Sequence, residues 1–340
     1  FLTPILCQSF IKSQNLFFRY NWAAGQTGAC AGRTIMLVFT LKRLVLAFFV
    51  AVTVSLITFS LTYVAGDPAI AIAGEAATDA DIAYVNQLYG FDRPILVQYA
   101  DWALGAIQGD FGQSFYFKLP VADLLLERLP VSMTLGVCAI SFGIILSIPL
   151  GVLAAIRPNS FLDRLALGIS VVGQAMPSFW LALLLILIFG VNLNLLPITG
   201  SESWQHFVLP TIVLGYYATP AIMRLTRTGM LEVLGSDYIR TARAKGLPLH
   251  VILFKHALRN AVIPVVSLAA VQFGFMLGGS IVIESIFALH GAGYLAWESI
   301  GRNDLPVVQA VVLIFSLFYI VLTFLSDLLN AWLDPRIRVG

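Results

Sequence analysis

The chain is poor in charge. Of its 340 residues only 11% are Asp, Glu, Lys or Arg, 59% are hydrophobic, and the mean hydropathy is +0.88. A soluble domain carries roughly a quarter charged residues. This chain therefore lacks the polar surface that a water-soluble fold needs, and it reads as an integral membrane protein. The net charge of +2 gives no indication of a nucleic-acid partner. Cysteine is scarce too: Cys7, Cys30 and Cys138 are too few and too scattered for a disulfide framework or a metal site. His206, His250, His256 and His290 lack metal-ligand spacing. No Gly-x-x-x-x-Gly-Lys-Ser/Thr phosphate loop occurs, so any ATP would be bound, with its Mg, by another chain. The apolar segments hold no paired carboxylates and no nucleophile with a base, which argues against a membrane-embedded enzyme. Solenoid-period repeats and low-complexity tracts are also missing.

What the chain has is long apolar runs. Runs of about twenty residues indicate helices, since barrel strands alternate over about ten. The expected fold is an all-α polytopic membrane protein with six transmembrane helices, near residues 41–64, 131–156, 165–189, 210–230, 261–283 and 307–329. Pro177 and Pro220 are expected to kink their helices. Gly274 and Gly278 form a small-xxx-small pair suited to close helix packing. Residues 1–35 mix Gln, Asn, Gly and aromatics without a period. They read as an N-terminal extension that need not be part of the native product, ahead of a transmembrane domain spanning 36–340.

The loops alternate in charge. Lys42 and Arg43, then Arg157 and Arg164, then Arg224, Arg227, Arg240, Arg243, Lys245, Lys255 and Arg259, and finally Arg336 and Arg338 fall at one side. Asp67, Glu75, Asp79, Asp81, Asp92, Asp101, Asp110, Asp123 and Glu127 dominate the loop at 65–130, and Glu202, Glu284, Glu298 and Asp304 mark the other loops of that side. The positive-inside rule puts both termini in the cytoplasm. The loop at 65–130 is too long for a connector. Helical spacing at 79–89 (Ile82, Val85, Leu88) and 94–104 (Ile95, Tyr99, Trp102) predicts surface helices there. They would either cap the membrane face or meet an external solute-delivery protein.

One polar, basic stretch stands out, Ser236 to Pro248. Ser236 suits an N-cap and Asp237 the positive end of the helix dipole. Arg243 and Lys245 suit the other end, and Gly246 and Pro248 supply a stop. A helix of about nine residues over 237–245 follows, with Pro248 opening another. Such a helix is either a solvated loop element or a docking element for a soluble partner.

Asp237-Tyr-Ile-Arg-Thr-Ala-Arg-Ala-Lys-Gly-Leu247, followed by His256-Ala-Leu-Arg-Asn-Ala-Val-Ile-Pro264, resembles the cytoplasmic signature of permease subunits of binding-protein-dependent ABC importers, within the dipeptide, oligopeptide and nickel branch. Gly66-Asp-Pro68, Tyr89-Gly-Phe-Asp-Arg-Pro94, Gly109-Asp-Phe-Gly112, Ser114-Phe115, Arg128-Leu-Pro130, Pro177-Ser-Phe-Trp180, Asp304-Leu-Pro-Val-Val-Gln309 and Asp334-Pro-Arg-Ile-Arg338 extend the resemblance in order from Met36 onward. Where the wider family has Glu-Ala-Ala, three residues and then Gly, the corresponding residues here are Arg240, Thr241 and Ala242, with Gly246 kept, and His290-Gly-Ala-Gly293 replaces a Pro-Gly-Leu-Gly type turn.

The resemblance implies the MetI-like permease architecture, with residues 231–260 as the coupling region. It implies a coupling helix seated in a cytoplasmic ATPase, with Asp237, Tyr238, Arg240, Thr241, Ala242, Arg243, Ala244, Lys245 and Gly246 as the ATPase-coupling residues. Ala242 and Ala244 would allow close approach, the charges would orient, and Gly246 would end the helix. The implied partners are two ABC ATPase subunits, a second, related permease and an extracytoplasmic solute-binding protein. The implied cargo is a short peptide or related small solute; nickel or glutathione is the alternative. A secondary transporter would need inverted repeats or broken helices that hold a coupling ion and would leave the signature unexplained. Gln174, Ser178 and Gln272 are substrate-path candidates, against a purely interhelical hydrogen-bonding role. Asp327 is expected near the inner interface, paired with a basic residue, and Glu284 similarly at the outer end. His290 is expected to be an exposed loop residue.

Overall fold

The computed structural model describes residues 29–64, 68–74 and 77–333. The extension up to residue 28, most of the Gly66-Asp-Pro68 motif and the motif at 334–338 lie outside the described residues. Among the described residues the regular elements are helical, with one isolated bridge between Gln113 and Pro120. In chain order they are α1 (Ala29–Val64), α2 (Pro68–Ala73), α3 (Asp79–Tyr89), α4 (Ile95–Ile107), α5 (Val121–Ile156) and α6 (Phe161–Ala175). Then come α7 (Ser178–Leu185), which runs on as a π-helical turn Ile186–Asn192, and α8 (Val208–Leu234), entered through a 3-10 turn Trp204–Phe207. After α9 (Asp237–Ala244), a π-helical turn Val251–Ala257 leads into α10 (Leu258–Ala261), followed by α11 (Ile263–Ile286), α12 (Ala292–Gly301) and α13 (Leu305–Leu333).

Five stretches are long and apolar enough to cross a bilayer: Thr40–Ser60 in α1, α5, Trp204–Leu234, α11, and Leu305–Ala331 in α13. The remaining expected span, 165–189, is discontinuous. Met176 (φ −82°, ψ 128°) and Pro177 (φ −61°, ψ 136°) are extended, so α6 ends and α7 begins anew. A proline disfavours helical backbone in the residue before it, and here the helix breaks where a kink was expected. Pro220 behaves differently. It lies buried inside α8, which continues through it. Alongside it, the Ser147 hydroxyl of α5 donates to the carbonyls of Gly143 (2.5 Å) and Thr219 (3.0 Å). At the other end of the chain, α1 begins at Ala29, so residues 29–35 are helical where no period was read.

The core is built on α5 and α8. Leu135 and Ala139 pack with Leu209, Val213, Ala218 and Ile222, and Ala182 of α7 and Met276 and Ile283 of α11 join them. Gly274 of α11 lies against Tyr319 of α13, whereas Gly278 faces open space. Helix α1 leaves most of its apolar surface exposed, as a lipid-facing helix does, and pairs with α13 through Arg43 and Asp327 at 2.8 Å. That pairing matches the expectation for Asp327.

The acidic end carries the surface helices. Thr78 caps α3 in a reciprocal capping box with Asp81, and the Thr78 hydroxyl and N–H hold the Asp81 carboxyl below the usual carboxylate range. Along α3, Val85 is buried but Leu88 is exposed, so the apolar face is narrower than its spacing implied. Helix α4 packs on α1: the Tyr99 hydroxyl meets Ser55 Oγ at 2.7 Å, and Phe59 touches the rings of Tyr99 and Trp102. Two buried carboxylates pin this end. Asp304 accepts from the Ser114 hydroxyl and from the N–H groups of Phe115 (2.9 Å) and Tyr116 (3.3 Å). Glu284 accepts from the Ser132 hydroxyl (2.6 Å) and the Tyr294 N–H (2.8 Å). The expected basic partner of Glu284 is absent among the described residues, and the side chain is wholly buried rather than interfacial. Its carboxyl group instead faces the N-terminus of α12, where the first-turn N–H groups lack partners within the helix and one of them, that of Tyr294, donates to it. His290 is exposed, as expected, edge-on to Tyr294.

Candidate functional site

Helix α9 lies just beyond the end of α8, separated from it by Gly235 and Ser236. Its eight residues, Asp-Tyr-Ile-Arg-Thr-Ala-Arg-Ala, put Ile239 and Ala242 three apart, hence on one face. Both are buried. They pack with Val152 and Ala155 of α5, Met230 of α8, and Ile252, Leu253, Ala257 and Ala261 of the segment leading into α11. Burying a side chain such as Ile239 contributes about 1.5–3 kcal/mol. An eight-residue helix is too short to persist alone, so this contact holds it. A second tie is polar: Asn260 Nδ2 donates to the Tyr238 hydroxyl at 2.8 Å.

The opposite face is open. Asp237, Tyr238, Arg240, Thr241, Arg243, Ala244, Lys245 and Gly246 are exposed. Arg240 pairs with Asp237 at 3.2 Å, an exposed contact that contributes little. Thr241 turns its hydroxyl back to the Asp237 carbonyl at 3.0 Å. Lys245 takes the C-cap position and Gly246 follows at φ +73°. Only glycine adopts that left-handed backbone without cost, so the expected stop is where the residues placed it. The helix ends one residue before the expected Lys245.

Two expectations for this helix change. Ser236 has N-cap backbone geometry, but its hydroxyl donates to the Val233 carbonyl at 2.6 Å and makes no cap bond to α9. Ala242, expected to allow close approach of a partner, is turned into the chain's own cluster. The buried pair leaves the outward face to the charged residues, Thr241 and Ala244. Ile239 was not among the expected residues, although its spacing to Ala242 was visible.

The substrate-path candidates are less concentrated. Ser178 opens α7, half-buried beside the break at Met176–Pro177. Gln272 is half-buried midway along α11, a helix that packs against α7. The side chain of Gln174 lies outside the described residues.

Comparison with known proteins identifies the family. Residues 147–339 match the family described as the inner membrane component of binding-protein-dependent transport systems, and residues 36–136 match the N-terminal family of such membrane components. The glutathione transport system permease protein GsiC of Escherichia coli (strain K12) is 40% identical over 304 residues, covering 89% of this chain and 99% of that protein. GsiC of Salmonella typhimurium (strain LT2) matches with the same identity and coverage. Two inward-facing crystal forms of the MetNI methionine ABC transporter share the fold, with TM-scores of 0.52 and 0.53 at 22% and 20% identity, covering 62% of this chain and 96% of theirs. A broken helix also occurs in secondary transporters, so the break at Pro177 does not by itself discriminate between the classes. The family match does, and the chain belongs to the inner-membrane components of binding-protein-dependent transport systems, the permease subunits of ABC importers.

Proposed function

We propose that this permease moves a short peptide or related small solute, glutathione foremost, by alternating access driven through α9. The observation that carries the coupling role is the two-sided build of α9. Its apolar face is seated on α5, α8 and the lead-in to α11, and its charged face is exposed and ends in a left-handed glycine. A push on such a helix reaches three long helices at once. We assign the outward contacts with the ATPase to Asp237, Tyr238, Arg240, Thr241, Arg243, Ala244, Lys245 and Gly246. ATP and Mg would be held by two ATPase subunits, and this chain would hold neither. A second, related permease would complete the pathway, to which Ser178 and Gln272 contribute, and an extracytoplasmic binding protein would deliver the solute. The basic end of the bundle, with both termini, would face the cytoplasm. The name of the 40%-identical relatives supports glutathione as the cargo.

The experiment is gentle solubilisation through a C-terminal tag, identification of what co-purifies, and uptake of labelled glutathione by the reconstituted assembly. Recovery of ATPases and a second permease, with uptake resisted by excess glutathione and not by nickel, is expected. Recovery of this chain alone, under conditions that preserve a known ABC complex, would defeat the coupling reading. Competition by nickel would redirect the cargo.

A further inference from the structure

The broken span contains a connection that the coupling helix by itself does not explain. Asp163, in the first turn of α6, is 2% exposed, and Arg227 of α8 meets it with both arms of its guanidinium fork. Arg227 Nε donates to Oδ1 at 2.6 Å and Nη2 to Oδ2 at 2.7 Å. Such a bidentate pair fixes direction as well as distance. The carboxylate also accepts the Asn159 N–H at 2.8 Å, and the Ser160 hydroxyl accepts the Asp163 N–H at 3.3 Å. The α5–α6 turn, the start of α6 and α8 are thus tied at one point.

The position of that point matters. Arg227 stands about two turns before the end of α8, and α9 follows almost directly. Asp163 begins the helix that ends at the Met176–Pro177 break. A second contact lies near that end: Gly173 of α6 sits against the Tyr216 ring of α8, where even a methyl group would come within 2.7 Å of the ring. Helix α6 is therefore held to α8 at both ends. Beyond the break, α7 joins the core with α11 through Ala182 and Met276.

We propose that Asp163 and Arg227 are a positioning pair that makes α6 move as one body with α8 and α9, so that displacement of α9 is delivered to the break at Met176–Pro177. This rests on the reading of α9 as the coupling element. A direct buried bond is stiff, whereas packing alone lets neighbouring helices slide by about 1–2 Å.

The test uses the complete complex recovered through the tagged chain, with Cys7, Cys30 and Cys138 replaced by Ser. Spin labels are placed at Arg164→Cys on α6 and Glu232→Cys on α8, both exposed positions. The inter-label distance is compared between nucleotide-free and ADP–vanadate-trapped states. In the parent the distance should be the same in both. In Asp163→Asn it should shift by about 2 Å or more on trapping, with ATP still hydrolysed, and the charge-exchanged pair Asp163→Arg with Arg227→Asp should suppress the shift. Arg227→Lys keeps the charge but loses the fork, and it should shift as well; it provides the reading if Asp163→Asn fails to assemble. An unchanged distance in these variants would overturn the proposal. Loss of assembly in both would reduce the pair to a folding element and overturn it equally. Chemical cross-linking of Lys245 to the co-purified ATPase separates the two ideas. Its absence in the parent would remove the coupling reading and the pair's role with it. Its presence alongside unshifted variants would remove the pair's role alone.

Discussion

Glu284 shows what a single buried residue does here. Its oxygens are acceptors for the Ser132 hydroxyl and the Tyr294 N–H, and Ser132 in turn accepts the Ala292 N–H at 2.8 Å. One carboxylate thereby joins α5, α11 and the start of α12. Removing it leaves buried donors without a partner, at about 1–3 kcal/mol each. Glu284→Gln keeps one acceptor oxygen; Glu284→Ala keeps none. Thermal unfolding of the solubilised protein should rank the parent above Glu284→Gln and Glu284→Gln above Glu284→Ala. Equal midpoints for Glu284→Gln and Glu284→Ala would show that the hydrogen bonds contribute nothing measurable.

At the scale of the element, α9 combines a seated face with a hard stop. A side chain at Gly246 has room, since no atom lies within 4 Å of where its Cβ would be. The cost of substitution is purely conformational, about 1–2 kcal/mol for a left-handed residue with a Cβ, and greatest for a β-branched one. Gly246→Val should therefore leave the protein in the membrane and ATP hydrolysis running, yet lower the solute moved per ATP. Gly246→Ala should fall between. Measured ratios that are equal in all three proteins would separate the stop from coupling. The same element view explains α6 and α7. The span loses its continuity at Pro177, which stands at an exposed junction, whereas α8 runs on through Pro220, which is buried within that helix.

At the scale of the whole molecule, the bundle has a basic end carrying α9 and an acidic end carrying α3, α4 and α12. If the basic end faces the cytoplasm, Glu202→Cys should react with a membrane-impermeant thiol reagent in intact cells. Lys255→Cys, exposed at the opposite end, should react only after permeabilisation. The reverse pattern would invert the topology and place α9 out of reach of any cytoplasmic ATPase.

The sequence alone determined the class of the protein, the number of apolar runs, the position of α9 and its stop at Gly246, and the family, because each of these is written locally. Hydrophobic length, charge by loop, a glycine after a basic turn and short ordered motifs are all readable within a few dozen residues. The surface helix at 79–89 was legible for the same reason. Even the inward face of α9 was present as the Ile239 and Ala242 spacing, although which partner that face would choose was not. Only the tertiary structure decided that Ala242 turns inward, that Ser236 bonds backward to Val233, that the third span breaks, and that Glu284 caps a helix rather than meeting a cation. Asp163 and Arg227 lie 64 residues apart in the chain, and Ser114 and Asp304 lie 190 apart. No local pattern announces such pairs. Their energy comes from being brought together and shielded from water, which happens only once the helices have packed.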